Sequence, residues 1–493
     1  MNQTPFFPAL RPLLAPMKSR VGATAHPLRR ATLCQIEKVL APALPTDLLG
    51  RPATGAHSRQ RVFDLPRTFW CWIWQVFQGN TSCREVMRQL QVMLDLLGLA
   101  PVDEGTSAYC QSRAKLSASL LAGAFAASSQ SAERQVPTGV LLKGRPIKVA
   151  DGSSVRLEDT AANRKEYPSA ANQFGRPSFP LLRVLVLFSL ASGALLAQAT
   201  GSLQVAEVRL LLQLADHFRP GDILIADRAY GQFILAHWLQ GLGVDLLARL
   251  NTRSRRVDFR RAAKRLGPKD ALFQWTRPLQ PSKLLRPAQW AKVPEVLLVR
   301  ILTLRITKPG FRTREICLVT TLLDPQQYPA QELFQAYFKR WRLEMCLDDL
   351  KTTLGMEMLH CKSPSLVRKE LLIYLTAHNF LRWIMGQAAK TAGVDLERLS
   401  FKGTLDALRQ WTAALAQVRG PGKASQHRRL WRSLLPTLAA DLLPDRPGRQ
   451  EPRAVKKRSK YPRLTKSRHA YVERWSRNKR RRISRARKQA LLN

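Results

Sequence analysis

The spacing of hydrophobic and polar residues divides the chain into parts with different predicted structure. Residues 1–60 are rich in proline and arginine and only weakly periodic, which predicts a poorly ordered basic arm or short helices. Residues 61–138 place apolar side chains at helical spacing after Ser and Thr starts, which predicts helices. Residues 139–250 contain short, nearly continuous apolar runs, which are typical of buried strands, between helical segments. Helical spacing returns from residue 328 and continues through residue 445.

The predicted elements of the middle part follow the order strand, hairpin, helix, strand, helix, strand. They are a strand that ends at Asp151, a hairpin over 181–201, a helix over 202–218, a strand over 222–226, a helix over 231–243 and a strand over 244–250. This order predicts an α/β fold class, with a ribonuclease H-like mixed sheet flanked by helical N-terminal and C-terminal regions. Residues 251–312 are basic, contain prolines and favour strands, so we expect a β-rich insertion there.

The predicted domains follow from these patterns. We expect a ribonuclease H-like core over 139–400, a C-terminal helical region over 401–445 and a basic tail over 446–493. The helices of 61–138 have basic residues on one side, which fits a DNA-binding module of helix-turn-helix type about as well as a plain bundle. The tryptophans of WCWIW in this region predict a buried aromatic helix, with stacking against nucleic-acid bases as the alternative.

The charge of the chain indicates the kind of partner. Eighty Lys and Arg stand against 35 Asp and Glu, a formal net charge of +45 over 493 residues. Such an excess predicts a polyanionic partner, and nucleic acid above all. In the tail from Arg446 onward, 19 basic residues stand against Glu451 and Glu473, and we expect this tail to contact DNA phosphates without reading bases. A basic structural or ribosomal-type protein is the alternative that charge alone leaves open.

Cysteine usage and hydropathy predict the compartment. The seven cysteines are scattered and form no CxxC pair, which argues against a disulfide framework or a zinc site and for a reducing cytosol. The N-terminal stretch has apolar residues before its charges and four prolines in its first 20 residues, unlike a signal peptide. The most apolar stretch, 184–200, is too short to cross a bilayer comfortably. We therefore expect a soluble cytoplasmic protein with no membrane partner.

A predicted helix over 328–355 places four polar side chains on one face. Tyr337, Arg340, Glu344 and Lys351 fall within an arc of roughly 60° at 100° per residue. A carboxylate between two cations suits a site that handles a metal ion and a phosphate group. The alternative is an ordinary charged face with ion pairs at (i, i+4) spacing, and for Tyr337 packing is nearly as good an explanation.

Two aspartates are predicted at the edge of the sheet. Asp151 in VADGSS and Asp227 in ILIADRAYG each follow an apolar run, and the carboxyl ends of such strands form the edge where ligands bind. Together with Glu344 they would supply the hard oxygen ligands that suit Mg²⁺ or Mn²⁺. Two such ions activate a water or a 3′-hydroxyl for in-line attack on a phosphodiester. The alternatives are an Asp-Gly turn at 151 and a helix cap at 227.

Three motifs in a fixed order resemble a known family. DGSSVRL, then ADRAYG, then Y-x2-R-x3-E-x6-K resemble the DDE transposases of insertion sequences, in particular the insertion-sequence-four group. The three acidic residues are separated by 76 and 117 positions, and a basic β-rich segment precedes the glutamate. The similarity covers roughly residues 61–400, and LTAHNFLRWIM also looks like the helical segment that follows the signature in that group.

The resemblance implies a reaction and its partners. It implies that Asp151, Asp227 and Glu344 form a catalytic triad that binds two Mg²⁺ or Mn²⁺ ions. In such enzymes a metal-bound water nicks each transposon end, and the freed 3′-hydroxyl joins target DNA, in some members after a hairpin intermediate. The implied partners are the terminal inverted repeats, the target DNA and a second copy of the chain in a synaptic complex. The implied location is the bacterial cytoplasm, in association with the nucleoid.

The resemblance also implies DNA contacts along the predicted helix. Tyr337, Arg340 and Lys351 would contact phosphates at the end of the element. Trp341, next to the arginine, would help to hold distorted DNA. The alternatives are a catalytically inactive or domesticated DNA-binding protein of transposase origin, and a nuclease of the ribonuclease H fold that does not transfer strands.

Overall fold

A computed structural model describes residues 36–444, except for 60, 97, 99, 137–141, 169–178, 253–256, 283, 306–314 and 419–421. All of these described residues belong to one folded unit. The expected basic tail over 446–493, and residues 1–35 of the expected N-terminal arm, lie outside them. Within the described part, no helix combines the length and the apolar character that crossing a membrane requires.

The N-terminal region is helical, as its spacing predicts. Its helices are α1 Ile36–Leu40, α2 Leu65–Phe77, α3 Cys83–Leu96, α4 Ser107–Lys115 and α5 Ala118–Glu133. Helix α2 begins at Asp64, whose side chain accepts a hydrogen bond from the N–H of Arg67 at 3.0 Å. Trp70 and Trp72 are fully buried, and the Trp70 ring stacks on Phe380 with centroids 5.6 Å apart. These tryptophans therefore belong to the core.

The strands form one large mixed sheet. They are β1 Ile147–Leu157, β2 Leu181–Ser189, β3 Leu195–Ser202, β4 Ile223–Ala226, β5 Asp245–Arg249, β6 Lys264–Gly267, β7 Asp270–Thr276, β8 Val296–Arg305, β9 Glu315–Thr320 and β10 Met358–Leu359. The order across the sheet is β3-β2-β1-β4-β5-β9-β8-β7-β6, and β10 pairs with β1. Strands β1, β4 and β5 are parallel neighbours, whereas β9 runs antiparallel to β5. The broad class predicted from the sequence, a mixed α/β structure, is the one found.

Helices cover the sheet and complete the unit. The remaining ones are α6 Ala161–Glu166, α7 Glu207–Leu212, α8 Phe233–Gly241, α9 Pro287–Trp290, α10 Ala330–Lys339, α11 Trp341–Asp348, α12 Pro364–Ala392, α13 Phe401–Gln417 and α14 Ala424–Ala440. Apolar residues of α7 and α8 join those of the central strands in one buried cluster. Asn379 of α12 bonds both the N–H and the carbonyl of Leu195, at 2.8 and 2.9 Å, which fixes this helix to strand β3.

Strand β1 does not end at Asp151, as the sequence predicts. It continues to Leu157 because strand β2 keeps pairing with it as far as Arg156, which stands opposite Leu181. The Asp-Gly turn that was the alternative for this segment is absent for the same reason. Pairing with the long apolar strand β2 overrides the local preference of the sequence DGSS for a turn.

The prediction of one long helix over 328–355 is also wrong in detail. It breaks at Arg340, whose N–H bonds the carbonyl of Tyr337 at 3.0 Å in a tightened turn, so α10 and α11 are separate helices. After α11 the backbone forms a wide π turn over Asp349–Thr353, closed by a bond from the N–H of Leu354 to the carbonyl of Asp349 at 2.9 Å. The side chains of 328–355 therefore do not advance by a regular step of about 100° per residue through the whole segment.

Candidate active site

The parallel pairing of β1 and β4 places Asp151 and Asp227 side by side. Val149 pairs with Ile225, and each aspartate stands two residues further along its own chain. Beyond this point β1 has no strand partner on the β4 side, among the described residues, until Arg156 pairs with β10. The ladder therefore opens at the two aspartates, where a ligand can reach both.

Asp151 has an electrostatically unfavourable environment. Burial is the main reason that its pKa rises to about 6, and the carboxylates of Asp227 and Glu207 raise this pKa further. Two groups act in the opposite direction: the N–H of Gly152, which donates to Oδ1 at 2.9 Å, and the cation of Arg340. The negative charge at this point is therefore only partly compensated within the chain.

Asp227 closes a turn directly after strand β4. Its Oδ1 accepts a hydrogen bond from the N–H of Ala229 at 2.6 Å, which is the capping role considered as the alternative. A carboxylate has about four acceptor positions on its two oxygens, so this bond leaves capacity for a ligand. The structural role and a ligand-binding role are thus compatible in one side chain.

Glu344 reaches this region from helix α11, which packs against β1. Its Oε1 accepts a hydrogen bond from Nη2 of Arg340 at 3.3 Å. Burial opposes the charge of Arg340, but Tyr337, Asp151 and Glu344 together raise its pKa. Arg340 is therefore close enough to both carboxylates to supply positive charge between them.

The other residues of the predicted stripe have different surroundings. Tyr337 is only 7% exposed, burial raises its pKa, and its ring centroid lies 5.9 Å from the guanidinium carbon of Arg340. Packing accounts for this tyrosine at least as well as ligand contact does. Trp341 is 51% exposed, which leaves much of its ring open to solvent. Lys351 lies in the π turn, so it does not continue the regular spacing of Arg340 and Glu344.

The neighbouring acidic residues have other partners. Asp348 accepts a hydrogen bond from the Thr352 hydroxyl at 2.7 Å, and Glu158 lies 2.9 Å from Nδ1 of His360. Asp159 pairs with Arg164. Each of these three acids, although close to the triad in sequence, thus has a partner of its own outside the triad.

Glu207 is the residue that sequence reasoning missed. It lies against Gly152, accepts a hydrogen bond from the Tyr230 hydroxyl at 3.4 Å, and stands 4.0 Å from Nε of Arg183. Because successive side chains of a strand point to opposite faces, Glu207 approaches β1 from the face opposite the Asp151 side chain. The glycine of DGSS was the one available signal, since it makes room for another side chain.

The donor chemistry of the site suits a hard divalent cation. Two carboxylates lie level on adjacent strands, one of them is partly buried with a raised pKa, and a third is carried by a helix that touches the same strand. Within the described ranges, however, no three such side chains converge closely enough to hold a metal ion. The structure thus brings Asp151 and Asp227 together and Glu344 near them, while Arg340 is bonded to Glu344.

Two comparisons of the sequence with known proteins agree with this chemistry. Residues 142–380 match the family described as Transposase DDE domain. The chain is 26% identical over 440 residues to the transposase InsG for insertion sequence element IS4 of Escherichia coli (strain K12), covering 88% of this chain and 94% of that protein. A cryo-EM structure of the piggyBac transposase synaptic complex with hairpin DNA aligns over 85% of each chain, with 11% identity and a TM-score of 0.40.

The family match spans the opened ladder of β1 and β4, helix α11 and most of α12. The alignment with the Escherichia coli transposase covers 88% of the chain, so it extends beyond the family match into the helical regions before and after it. Family match, relative and motif order point to one class of enzyme, which cleaves DNA and transfers its strands. The family match and the relative together support a DDE transposase of the insertion-sequence-four type.

Proposed function

We propose that Asp151, Asp227 and Glu344 are the catalytic triad of this insertion-sequence transposase. The observation that carries the proposal is the level placement of the two aspartates at the point where β1 and β4 separate. Helix α11 packs on β1 and supplies the third carboxylate. Strand and helix order is consistent with a ribonuclease H-like core over 139–400, with the β-rich insertion at 251–312 extending its sheet.

DDE transposases use divalent metal ions. We propose that the triad holds Mg²⁺ or Mn²⁺, as two ions, because carboxylate oxygens are the donors these ions prefer. When bound, such ions lower the pKa of a coordinated water and stabilise the leaving oxygen in an in-line displacement. Glu344 accepts one bond from Arg340 on Oε1, at 3.3 Å, so its carboxylate keeps acceptor positions for a metal ion, as that of Asp227 does.

The residues around the triad would hold the DNA. We assign Arg340, which is bonded to Glu344, and Lys351, in the π turn after α11, to phosphates, because a guanidinium and an ammonium offset the charge of an incoming backbone. Trp341 has an exposed ring that suits contact with distorted DNA. Tyr337 would present only a small part of its side chain to DNA, because it is 7% exposed.

The proposed substrate is the pair of terminal inverted repeats of the element, followed by target DNA. Cutting two ends and joining both to one target needs two active sites, so we propose a homodimer on DNA. We assign DNA binding to the helices of 61–138 and to the basic tail over 446–493, and place the reaction at the bacterial nucleoid.

The test is a reaction with a linear DNA that has both element ends, plus a separate target plasmid. With Mg²⁺ we expect free 3′-hydroxyls at the ends and then joined products; with EDTA we expect binding alone. Binding without any cutting in Mg²⁺ would identify an inactive DNA-binding protein. Cut ends that never join the plasmid would identify a nuclease without strand transfer.

A further inference from the structure

A cationic pocket lies where helix α14 meets helix α1. Its volume is ≈ 250 Å³, and it is lined by Lys38, His427, Arg428, Trp431 and Arg432. Among the described residues its lining contains three fixed positive charges, one histidine and one indole, and no carboxylate. A cavity with this lining favours an anionic group next to a flat or apolar one.

Helix α14 is held in place by contacts on its other side. It packs against α12 and α13. The indole N–H of Trp411 lies 3.0 Å from the carbonyl of Leu430 and 3.2 Å from the hydroxyl of Ser433. Leu434 and Leu438 are buried. The helix therefore cannot rotate freely, and the pocket face keeps a fixed orientation.

The arginines of this helix fall on two flanks. Arg428 and Arg432 are four residues apart, so their side chains lie one above the other along the pocket. Arg429 is also exposed but does not line the pocket; it points about 100° away from Arg428 and about 60° away from Arg432. The helix thus contains its own control residue, with the same charge on another flank.

We propose that this pocket binds a phosphate of the DNA backbone, gripped by Arg428, Arg432 and Lys38, with Trp431 packed against the adjoining sugar or base. Planar guanidinium groups bond phosphate oxygens in pairs, and an indole that is 38% exposed offers a surface for stacking. The volume lies below the range of about 300–1,000 Å³ typical of small-molecule sites, so it suits a phosphate and sugar better than a whole cofactor.

The inference rests on the proposed function, because it takes DNA as the partner. It adds a contact surface outside the triad and outside both segments assigned above to DNA binding. Charge complementarity supports this partner, since the chain as a whole has a net charge of +45. A contact of this kind gives affinity without sequence preference.

The test is binding of the full chain to fluorescent duplex DNA in EDTA, at several salt concentrations. In EDTA no cleavage takes place, so binding is measured apart from chemistry. We compare wild type with the R428Q/R432Q variant, with R428K/R432K, and with R429Q. If each arginine neutralises one phosphate, the slope of log Kobs against log[salt] becomes shallower by about 1.8 for R428Q/R432Q. R429Q should keep the wild-type slope, and R428K/R432K should stay close to it.

The comparison of R429Q with R428Q/R432Q shows whether the position of the lost charge matters for DNA binding. If R429Q weakens binding and flattens the slope as much per charge as R428Q/R432Q does, the effect is general and the pocket is not a site. An unchanged slope in R428Q/R432Q overturns the inference directly. Circular dichroism confirms that the variants are folded, which we expect because all three arginines are exposed. A wild-type chain that fails to bind DNA would instead overturn the proposed function.

W431L tests the packing part of the inference. Its affinity for duplex DNA should fall severalfold while the salt slope stays at the wild-type value, because no charge is lost. Wild-type affinity in W431L would contradict the assigned role of the indole.

Discussion

The carboxylate of Glu207 occupies the space into which a side chain at Gly152 would project. A β-carbon built on Gly152 would lie 2.5 and 2.8 Å from the two carboxylate oxygens of Glu207, far inside van der Waals contact. Gly152 directly follows Asp151 in strand β1. The glycine thus allows a helix on one face of the sheet to approach the strand that holds the candidate metal ligand.

Gly152→Ala should therefore destabilise the fold and disturb Asp151. We expect a loss of about 1 kcal/mol, the lower end of the usual cost of overpacking, because the clashing group is the end of a flexible side chain that can turn away. Adding Glu207→Ala should recover part of that loss, because it removes the group that clashes. Thermal unfolding of the two single variants and the double variant measures the coupling. Strictly additive effects would show that the two residues do not compete for the same space.

The buried ion pair of Asp270 and Arg300 should matter far more than an exposed pair. The Arg300 side chain is fully buried, and its Nε and Nη2 contact the two Asp270 oxygens at 2.8 and 2.5 Å. Asp270→Ala leaves that cation without its counter-charge, which costs about 3–5 kcal/mol. Asp258→Ala, which removes the partner of the exposed Arg260, is the control and should leave stability almost unchanged. If Asp270→Ala and Asp258→Ala lowered the soluble yield and the thermal midpoint equally, the greater importance of the buried pair would be contradicted.

Much of the fold was predictable because runs of hydrophobic residues indicate which segments are buried strands. The apolar run before Asp227 and the leucine-rich run after residue 181 became β4 and β2. The extent of β1 was not predictable, because it depends on the ladder with β2 and not on the local preference of DGSS. The break at Arg340 and the π turn after α11 are backbone changes within one helical pattern, to which side-chain spacing is insensitive. Glu207 was missed because only the folded sheet brings it to Gly152.

His378 should make the fold sensitive to mild acid. It is fully buried, its ring stacks near Phe401, and burial, with help from the charge of Arg382, lowers its pKa to about 3. Below pH 6.5 the unfolded chain binds a proton that the folded chain excludes, so stability is complete above pH 6.5 and falls as pH decreases toward 3. At pH 5.5 this proton uptake lowers the free energy of unfolding by about 1.4 kcal/mol.

The measurement for His378 is the thermal midpoint at pH 7.5 and at pH 5.5. His378→Phe, which keeps an aromatic ring but cannot titrate, should lose less stability over this interval than wild type does. An equal loss in both proteins would show that other groups cause the acid sensitivity.

Arg340 should contribute to cleavage and not only to the charge balance of its helix. It bonds Glu344 and influences Asp151, so its charge is placed to meet a phosphate at the triad. Arg340→Gln should slow nicking by about 10–100-fold, the effect of removing a charge-assisted hydrogen bond worth about 1.5–3 kcal/mol. Lys339→Gln makes the same charge change at the next position, which is exposed, and should have little effect. Single-turnover nicking rates compare the two; similar rates would assign Arg340 to charge balance alone.

The central claim is that Asp151, Asp227 and Glu344 act together on DNA, and single substitutions test it most directly. The variants are Asp151→Asn, Asp227→Asn and Glu344→Gln, with Asp348→Asn as control, because Asp348 lies on the same helix as Glu344 and bonds Thr352 instead. Nicking of element ends in Mg²⁺ and binding of the same DNA in EDTA are measured in parallel. We predict that each triad variant nicks at less than about a thousandth of the wild-type rate while binding normally, since metal ions supply several kcal/mol of transition-state stabilisation. A wild-type nicking rate in any one of the three would contradict the triad.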